Sequence, residues 1–280
     1  MTRLTDRCSL EITAKDEQSL REARPYLAPG TEVSITFLPT DLLGSCVAAA
    51  VAIRHEGLIP IPHLSARRLE SAADLETFLT RLSNEAAVDR VFVIAGDSAE
   101  PQGPFADALA IIQSGSLARH GMGRVGIAGY PEGHPTIPHD KLWQALKSKQ
   151  EALAAQNHSC EIVTQFSFDA DAILIWLKRL RDEGILTPVK IGIPGPASVR
   201  SLLRYAARCG VGASSKVMAK YGLSLSKLLS PAGPDALVAE LEAHLHPSIH
   251  GEVSTHLYPF GGIQRAVEWV HQYHEIGRAG

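Results

Sequence analysis

Short apolar runs alternate with amphipathic segments along the whole chain, and each apolar run ends in a polar or glycine-rich loop. This alternation continues through all 280 residues without a change of composition that would mark a domain boundary. The strand-like runs cover residues 8–13, 32–38, 58–64, 90–96, 124–130, 161–168, 189–194 and 255–260. Eight strand–helix units predict an α/β fold, a single (βα)8 TIM barrel that forms one catalytic domain over residues 1–280.

Helical periodicity fills the intervals between these runs. The predicted helices cover residues 15–27, 41–55, 69–84, 104–118, 140–156, 170–183, 197–209, 214–229, 235–244 and 263–276. The segments 214–229 and 235–244 are extra helices before the last strand, which is an ordinary insertion in a barrel. An open doubly wound sheet remains the alternative architecture.

Alternating polarity on the first strand predicts a carboxyl group inside the barrel. Leu10 and Ile12 take the apolar face, which leaves Ser9, Glu11 and Thr13 on the inner face. Desolvation raises the pKa of a buried carboxyl, so such a group keeps its proton near neutral pH. Glu11 is therefore the candidate general acid, and a structural glutamate paired with a Lys or Arg is the alternative.

Other polar residues follow the carboxyl ends of predicted strands, where barrel enzymes place their chemistry. Asp97 is in phase with Val91 and Val93, and its carboxylate is predicted to face inwards and accept hydrogen bonds from a heterocycle. A turn or helix-capping role is the alternative for this residue. His63 and His134 are candidates for contacts with phosphate or a cofactor, and a structural role in the core or a loop is their alternative.

Composition and charge argue against several classes of function. Apolar residues make up 45% and charged residues 20% of the chain, which is typical of a globular protein with a large core. The formal net charge is −3 and the basic residues are dispersed, so no nucleic-acid partner is predicted. No apolar run is long enough to span a bilayer and no signal peptide is recognisable, so a cytoplasmic protein without membrane contact is predicted.

The motifs of several common enzyme classes are absent from the sequence. The four cysteines lie far apart without CxxC spacing, and we expect them to be buried thiols. The histidine-rich stretch 244–250 lacks a fixed carboxylate partner, and no metal site is predicted. The glycine-rich Rossmann motif, the P-loop and the GxSxG motif of serine hydrolases do not occur.

Six short motifs at strand ends carry a resemblance to a known family. They are SLEIT at 9–13, VSITF at 33–37, PHLS at 62–65, IAGD at 94–97, GYPEGHP at 129–135 and TQFSFD at 164–169. In this order they resemble the motifs of the methylenetetrahydrofolate reductase family, flavoproteins built on a (βα)8 barrel. The resemblance is clearest from residue 9 to residue 168 and continues more weakly to the final helix.

The resemblance implies an enzyme that interconverts 5,10-methylenetetrahydrofolate and 5-methyltetrahydrofolate with FAD, so a tetrahydrofolate derivative is the expected substrate. It makes Glu11 the general acid and gives Asp97 a catalytic role beside the flavin and the pterin. The implied FAD-binding residues are Thr36, Phe37, His63, Gly96, Asp97, Tyr130, His134 and Lys149. The implied folate-binding residues are Glu11, Asp97, Gln165 and Tyr258. We also expect a homo-oligomer.

Departures from the family pattern concern the cofactor and the electron donor. Ala95 replaces the arginine that precedes Gly-Asp in the family, and Lys149 lies in a segment, LKSK, that matches only in part. Val199 stands where many members have an aromatic residue that helps hold the nicotinamide dinucleotide, so NADH is less well supported than FAD and folate. A flavin-free barrel that binds tetrahydrofolate for one-carbon transfer and a noncatalytic paralogue remain alternatives.

Overall fold

A closed barrel of parallel strands forms the centre of the computed structural model, which describes residues 3–38, 41–212 and 231–276. The strands are β1 Cys8–Thr13, β2 Glu32–Thr36, β3 Ile59–Ser65, β4 Arg90–Ile94, β5 Arg124–Gly129, β6 Ser159–Phe166, β7 Val189–Pro194, β8 Ala197–Ser198, β9 Pro231–Ala232 and β10 Val253–Tyr258. Eight of them close in the order β1-β10-β7-β6-β5-β4-β3-β2, and β8 pairs with β9 outside the barrel. The predicted (βα)8 barrel is confirmed.

Helices connect successive barrel strands and pack on the outside. They are α1 Glu17–Ala23, α2 Leu43–His55, α3 Ala72–Ala86, α4 Ala108–Gln113, α5 Ser116–Arg119, α6 His139–Ala155, α7 Ala170–Asp182, α8 Val199–Cys209, α9 Asp235–His244, α10 Pro247–His250 and α11 Ile263–Ile276. The helix predicted over 104–118 is divided into α4 and α5, because Gly115 takes a left-handed φ of 73° between them. The helix predicted over 214–229 lies outside the described residues. None of the helices within the described ranges is long and apolar enough to cross a membrane.

Strand side chains alternate between an outer and an inner core. Outward-facing residues such as Ile12 and Ile127 are almost fully buried against the helices. Inside the barrel, a small apolar cluster of Ile61, Phe92 and Val163 fills the middle. Apolar burial of this kind contributes about 25 cal/mol per Å² to stability. The inner core leaves both ends of the barrel to polar side chains.

The predicted inward phase of Asp97 is wrong. Val91 and Val93 belong to the outer core, whereas Phe92 faces the interior. β4 ends at Ile94, and Gly96 then takes a φ of 89°, a conformation that glycine adopts without steric cost. Asp97 is therefore placed by a turn rather than by strand alternation, and its side chain is exposed.

Ion pairs fill the amino-terminal end of the barrel. Lys190 contacts Glu32 and also lies 3.0 Å from Glu161, and Arg90 contacts Glu32 at 2.7 Å. A cavity of about 740 Å³ opens at this end, and Glu32, Glu161 and Lys190 are among the residues that line it. Because these charges are paired with one another, we interpret this end as structural rather than catalytic.

Candidate functional site

Side chains from several strands meet at the carboxyl end of the barrel. The Glu11 carboxylate oxygen Oε2 lies 3.6 Å from Nε2 of His63. Burial raises the pKa of Tyr258 well above its usual value, and the charges of Glu11 and Tyr130 add to this rise. Burial also raises the pKa of Tyr130, with a further contribution from Asp97. These interactions place five residues in one region, which we call the mouth: Glu11, His63, Asp97, Tyr130 and Tyr258.

Glu11 and His63 form a neutral pair. Burial raises the pKa of Glu11 to about 8 and lowers the pKa of His63 to about 3. At pH 7 the carboxyl group is therefore mainly protonated and the imidazole is uncharged, so their contact is not an ion pair. The Glu11 side chain is 21% exposed and that of His63 is 5% exposed, so a ligand in the mouth can reach the carboxyl group.

The second ring nitrogen of His63 has no hydrogen-bond partner within the part of the chain that the structure describes. This atom, Nδ1, is fully buried, and the ring lies 4.8 Å from the ring of Phe92. An unsatisfied buried polar group costs about 1–3 kcal/mol. His256, by contrast, pairs its Nδ1 with the hydroxyl of Ser9 at 2.9 Å. His63 therefore has hydrogen-bonding capacity left for a ligand.

Three of the predicted cofactor residues gather around the Gly-Asp turn. The rings of Tyr130 and His134 meet edge to face at 5.5 Å. Burial lowers the pKa of His134, and the nearby charge of Asp97 opposes this shift. The charge of Asp97 affects the pKa of both side chains. The structure therefore brings Asp97, Tyr130 and His134 together beside Gly96.

Arg68 lies between two other predicted cofactor residues. Its guanidinium group is 4.5 Å from the ring centre of Phe37, which directly follows Thr36 at the end of β2, and it donates to the Phe37 carbonyl at 3.2 Å. A Cβ atom on Gly96 would lie 3.8 Å from the Cγ atom of Arg68. Sequence reasoning missed this cation next to Ala95. Its signal was the pair Arg67-Arg68, which follows the PHLS motif after Ala66.

The predicted folate residues Gln165 and Tyr258 border a group of aromatic rings. The side-chain oxygen of Gln165 accepts from the Phe166 backbone at 3.1 Å, and the Tyr258 hydroxyl donates to the Thr164 carbonyl at 3.0 Å. The aromatic cluster consists of Phe166, Phe168, Tyr205, Tyr258 and Phe260. Phe166 and Phe168 are buried, whereas the half-buried rings of Tyr205, Tyr258 and Phe260 offer apolar surface next to the polar groups of the mouth. Such surface is suited to a conjugated ring system.

Glu132 joins three segments of the mouth and was also missed from the sequence. Its Oε1 accepts from the Ser167 hydroxyl at 2.6 Å, and its Oε2 accepts from the Gly212 backbone at 3.0 Å. The loop that carries Tyr130 and His134 is thereby tied to the end of β6 and to the residues after α8. Glu132 lies within the GYPEGHP motif, but nothing in the motif indicates its partners.

The predicted cofactor residue Lys149 lies elsewhere, and so does Val199, which replaces an aromatic residue of the family. Lys149 is buried on α6, where burial lowers its pKa to about 8 and the charges of Cys160 and Asp107 oppose the shift. Cys160 is near the amino end of β6, so the structure does not bring Lys149 to the mouth. Val199 is completely buried at the start of α8 and presents no surface to a dinucleotide.

Comparison with known sequences identifies relatives in one family. A profile described as methylenetetrahydrofolate reductase matches residues 22–224. "Methylenetetrahydrofolate reductase 2" of Saccharomyces cerevisiae is 30% identical over 82 residues, which are 29% of this chain and 13% of that protein. "Methylenetetrahydrofolate reductase 1" of Schizosaccharomyces pombe is 33% identical over 87 residues, 31% of this chain and 14% of that protein. The matched segments are thus small parts of these longer proteins.

Comparison with solved structures supports the same fold. A Clostridium thermocellum protein that binds two copies of 5-methyl-5,6,7,8-tetrahydrofolic acid superposes with a TM-score of 0.60 at 9% identity, covering 99% of this chain and 97% of that one. Dihydropteroate synthase from Thermus thermophilus has a TM-score of 0.51 at 12% identity, covering 98% and 94%. At such identities the likeness concerns the fold alone. The family profile matches most of the chain, from residue 22 to residue 224. The chain therefore belongs to the methylenetetrahydrofolate reductase family.

Proposed function

We propose that the protein interconverts 5,10-methylenetetrahydrofolate and 5-methyltetrahydrofolate with FAD as its cofactor. The observation that carries this proposal is the protonated, partly accessible carboxyl of Glu11 at the mouth of a barrel from this family. An acid with a pKa near the working pH is suited to protonate a weakly basic amine and to be reprotonated afterwards.

The residues at the mouth fit a flavin. The buried, unpartnered Nδ1 of His63 is available to a polar ring atom, and Arg68 places a positive charge next to the Gly96 turn. The proposed FAD-binding residues are Thr36, Phe37, His63, Arg68, Gly96, Asp97, Tyr130 and His134. Lys149 is not among them, because it lies on α6 away from the mouth. Bound FAD supplies the hydride chemistry that no amino-acid side chain can perform.

Glu11 controls the proton of the reaction. In the reductive direction its carboxyl donates a proton to the substrate amine nitrogen as the five-membered ring opens, and the carboxylate is left in the barrel. The neighbouring imidazole of His63 is neutral, so it does not stabilise that carboxylate as a cation would. The carboxylate therefore regains a proton readily, and in the oxidative direction it serves as the base.

The other polar groups orient the pterin. Asp97 is an exposed carboxylate that can accept hydrogen bonds from pterin N–H groups. The oxygen of the Gln165 carboxamide is engaged by the Phe166 backbone, which leaves its NH2 group to donate to the ligand. The Tyr258 hydroxyl is engaged by Thr164, so this residue contributes its ring face. We therefore propose Gln165 and Tyr258 as positioning residues rather than proton donors.

A spectrum and one reaction test the proposal. The purified protein is saturated with FAD under anaerobic conditions and mixed with 5-methyltetrahydrofolate. Loss of the visible flavin absorbance with formation of 5,10-methylenetetrahydrofolate is the expected result. A protein that binds FAD but is not reduced by the methyl-folate would contradict the proposal.

A flavin-free barrel that binds tetrahydrofolate is the second candidate. Ala95 removes a charged contact to the cofactor, and the Clostridium thermocellum neighbour binds 5-methyl-5,6,7,8-tetrahydrofolic acid. Calorimetric titration separates the two. Binding of 5-methyltetrahydrofolate to a protein that does not bind FAD at all supports the second candidate.

A further inference from the structure

Glu132 joins three segments at the carboxyl end of the barrel through one carboxylate. It lies in the loop after β5, which also carries Tyr130 and His134. Its Oε1 accepts a hydrogen bond from the Ser167 hydroxyl at 2.6 Å, and its Oε2 accepts one from the Gly212 backbone at 3.0 Å. Ser167 directly follows β6, and Gly212 lies just beyond α8. We call the bond between Glu132 and Ser167 the link.

The Ser167 hydroxyl has a well-defined direction. It is buried, and its oxygen accepts a hydrogen bond from the Asp169 backbone at 3.0 Å. Its proton makes the short bond to Glu132, since the Asp169 carbonyl is a poorer acceptor at 3.4 Å. The Ser167 backbone N–H donates to the Gly192 carbonyl of β7 at 3.3 Å. The link therefore attaches the loop after β5 to a residue that is itself fixed to the barrel.

A second contact fastens the same loop to the end of α8. Gly210 caps the helix with a φ of 67°, and a Cβ atom at this position would lie 2.5 Å from the ring of Pro135. No real Cβ atom approaches another atom so closely, so the glycine allows the proline to pack directly on the helix end. Residues 130–135 are thus held by Glu132 and by Pro135.

The two sides of the link carry residues for different ligands. Tyr130 and His134 are proposed to bind FAD, whereas Gln165, two residues before Ser167, is proposed to bind the pterin. Ser167 is buried, and both carboxylate oxygens of Glu132 are engaged by protein groups, so neither residue is a proposed ligand contact. A change at Ser167 can therefore reach the FAD-binding loop through Glu132.

We propose that Glu132 and Ser167 are positioning residues that couple the FAD-binding loop to the folate-binding end of β6, so that an intact link strengthens the binding of both ligands. This inference rests on the proposed function, which supplies the two ligands. A loop already held in its binding conformation loses less conformational entropy when the ligand arrives. Coupling between directly bonded side chains corresponds here to about a three-fold to ten-fold change in Kd.

Titration of the apoprotein with FAD, followed by flavin fluorescence, tests the effect on the cofactor. Ser167→Ala should raise the Kd for FAD by about three-fold to ten-fold, although Ser167 is not a proposed FAD contact. Glu132→Gln should also raise it, because an amide has one acceptor oxygen for two donors. In a protein that already carries Glu132→Ala, Ser167→Ala should have little further effect, because the link is already broken.

Anaerobic reduction of the FAD-saturated protein by increasing concentrations of 5-methyltetrahydrofolate tests the effect on the substrate. This measurement gives a Kd for the folate and a limiting rate of flavin reduction. Glu132→Gln should raise the Kd by about three-fold to ten-fold and leave the limiting rate within about two-fold, since it does not alter Glu11. A fall in the limiting rate with an unchanged Kd would assign Glu132 to the chemical step and overturn the inference.

Ser116→Ala is the matched control for lost stability. The buried Ser116 hydroxyl donates to the Glu76 carboxylate at 2.7 Å and joins α5 to α3 on the outside of the barrel. This variant removes the same kind of hydrogen bond as Ser167→Ala, so it should lower the free energy of unfolding as well. Its Kd values for FAD and folate should nevertheless equal those of the wild type.

Two outcomes of the FAD titration would overturn the inference. One is an unchanged Kd in Ser167→Ala, and the other is an equal loss of affinity in Ser116→Ala, which would show a general effect of lower stability. If Ser167→Ala does not fold, Glu132→Gln decides by the same two criteria. Either outcome leaves the proposed function intact, whereas failure of the wild type to bind FAD would overturn both.

Discussion

Replacing Glu11 with glutamine removes the proposed acid while preserving its shape. With a pKa of about 8, Glu11 is about 90% protonated at pH 7, whereas a carboxyl at the ordinary value of 4.5 would be about 0.3% protonated. Burial thus increases the amount of usable acid about 300-fold. An amide has no carboxylic proton to donate, so we expect Glu11→Gln to slow turnover by about 10²–10⁴-fold.

Anaerobic single-turnover reduction of the flavin by 5-methyltetrahydrofolate measures this loss. FAD affinity should be unchanged in Glu11→Gln, because the lost group acts on the folate. Glu22→Gln is the matched control. It makes the same chemical change at an exposed position on α1, far from the mouth. A Glu11→Gln rate above about a tenth of the wild-type rate would remove Glu11 from the proton-transfer step.

The pH dependence of stability gives an independent check on Glu11. Its pKa in the folded protein is raised above the value of 4.5 expected when unfolded, so the folded state binds the proton more tightly. This stabilisation is complete below pH 4.5 and is lost as the pH rises towards 8, by a few kcal/mol in total. Glu11→Gln does not titrate, so its stability relative to the wild type should rise between pH 6 and pH 9. Urea unfolding at a series of pH values measures this difference. If the free energies of unfolding of the two proteins change with pH in the same way over that range, the raised pKa is refuted.

Three further outcomes follow from the mouth. Arg68→Gln should weaken FAD binding and Ala95→Arg should strengthen it, each by about one to two decades in Kd, since a charge-assisted contact contributes about 1.5–3 kcal/mol. Titration of the apoprotein with FAD measures both changes. An unchanged Kd in both variants would exclude these two positions from the FAD site. NADH should reduce the flavin much more slowly than 5-methyltetrahydrofolate does, because Val199 is buried and this position lacks an aromatic ring, whose stacking contributes about 0.5–1.5 kcal/mol. Fast, saturable reduction of the flavin by micromolar NADH in a stopped-flow experiment would contradict this. Glu132→Ala should lower the free energy of unfolding by about 1–3 kcal/mol, and it should have a smaller effect in a protein that already carries Ser167→Ala. Denaturant unfolding of the two single variants and the double variant measures this. Additive losses of stability would show that the two side chains are not coupled.

The barrel could be predicted from the sequence because its strands show a simple local period. The first and seventh strands, Cys8–Thr13 and Val189–Pro194, have the predicted bounds, as do Asp235–His244 and Ile263–Ile276. Other boundaries depend on loop geometry, which a hydrophobic pattern does not encode. The left-handed Gly115, for example, divides a segment whose apolar periodicity indicates one helix.

The site was predictable only where strand alternation places a side chain. Glu11 lies on a regular strand, and its inner position and raised pKa agree with the sequence-based reasoning. Asp97 lies beyond the end of its strand, so alternation gave it the wrong phase. Arg68 and Glu132 were missed because their contacts join loops that are distant in sequence, as in the bond from Glu132 to Gly212. The roles of the remaining predicted site residues stay predictions until ligands are bound.

The separation of charge along the barrel axis explains why Glu11 can keep its proton. Lys190 and Arg90 lie at the amino-terminal end, and their charges are taken up by Glu32 and Glu161. Burial alone accounts for the raised pKa of Glu11, with no contribution from a basic side chain. A lysine or arginine paired with Glu11 would lower its pKa and leave a carboxylate that could not act as an acid at neutral pH. The ion pairs at one end of the barrel thus hold these cations away from the acid at the other end.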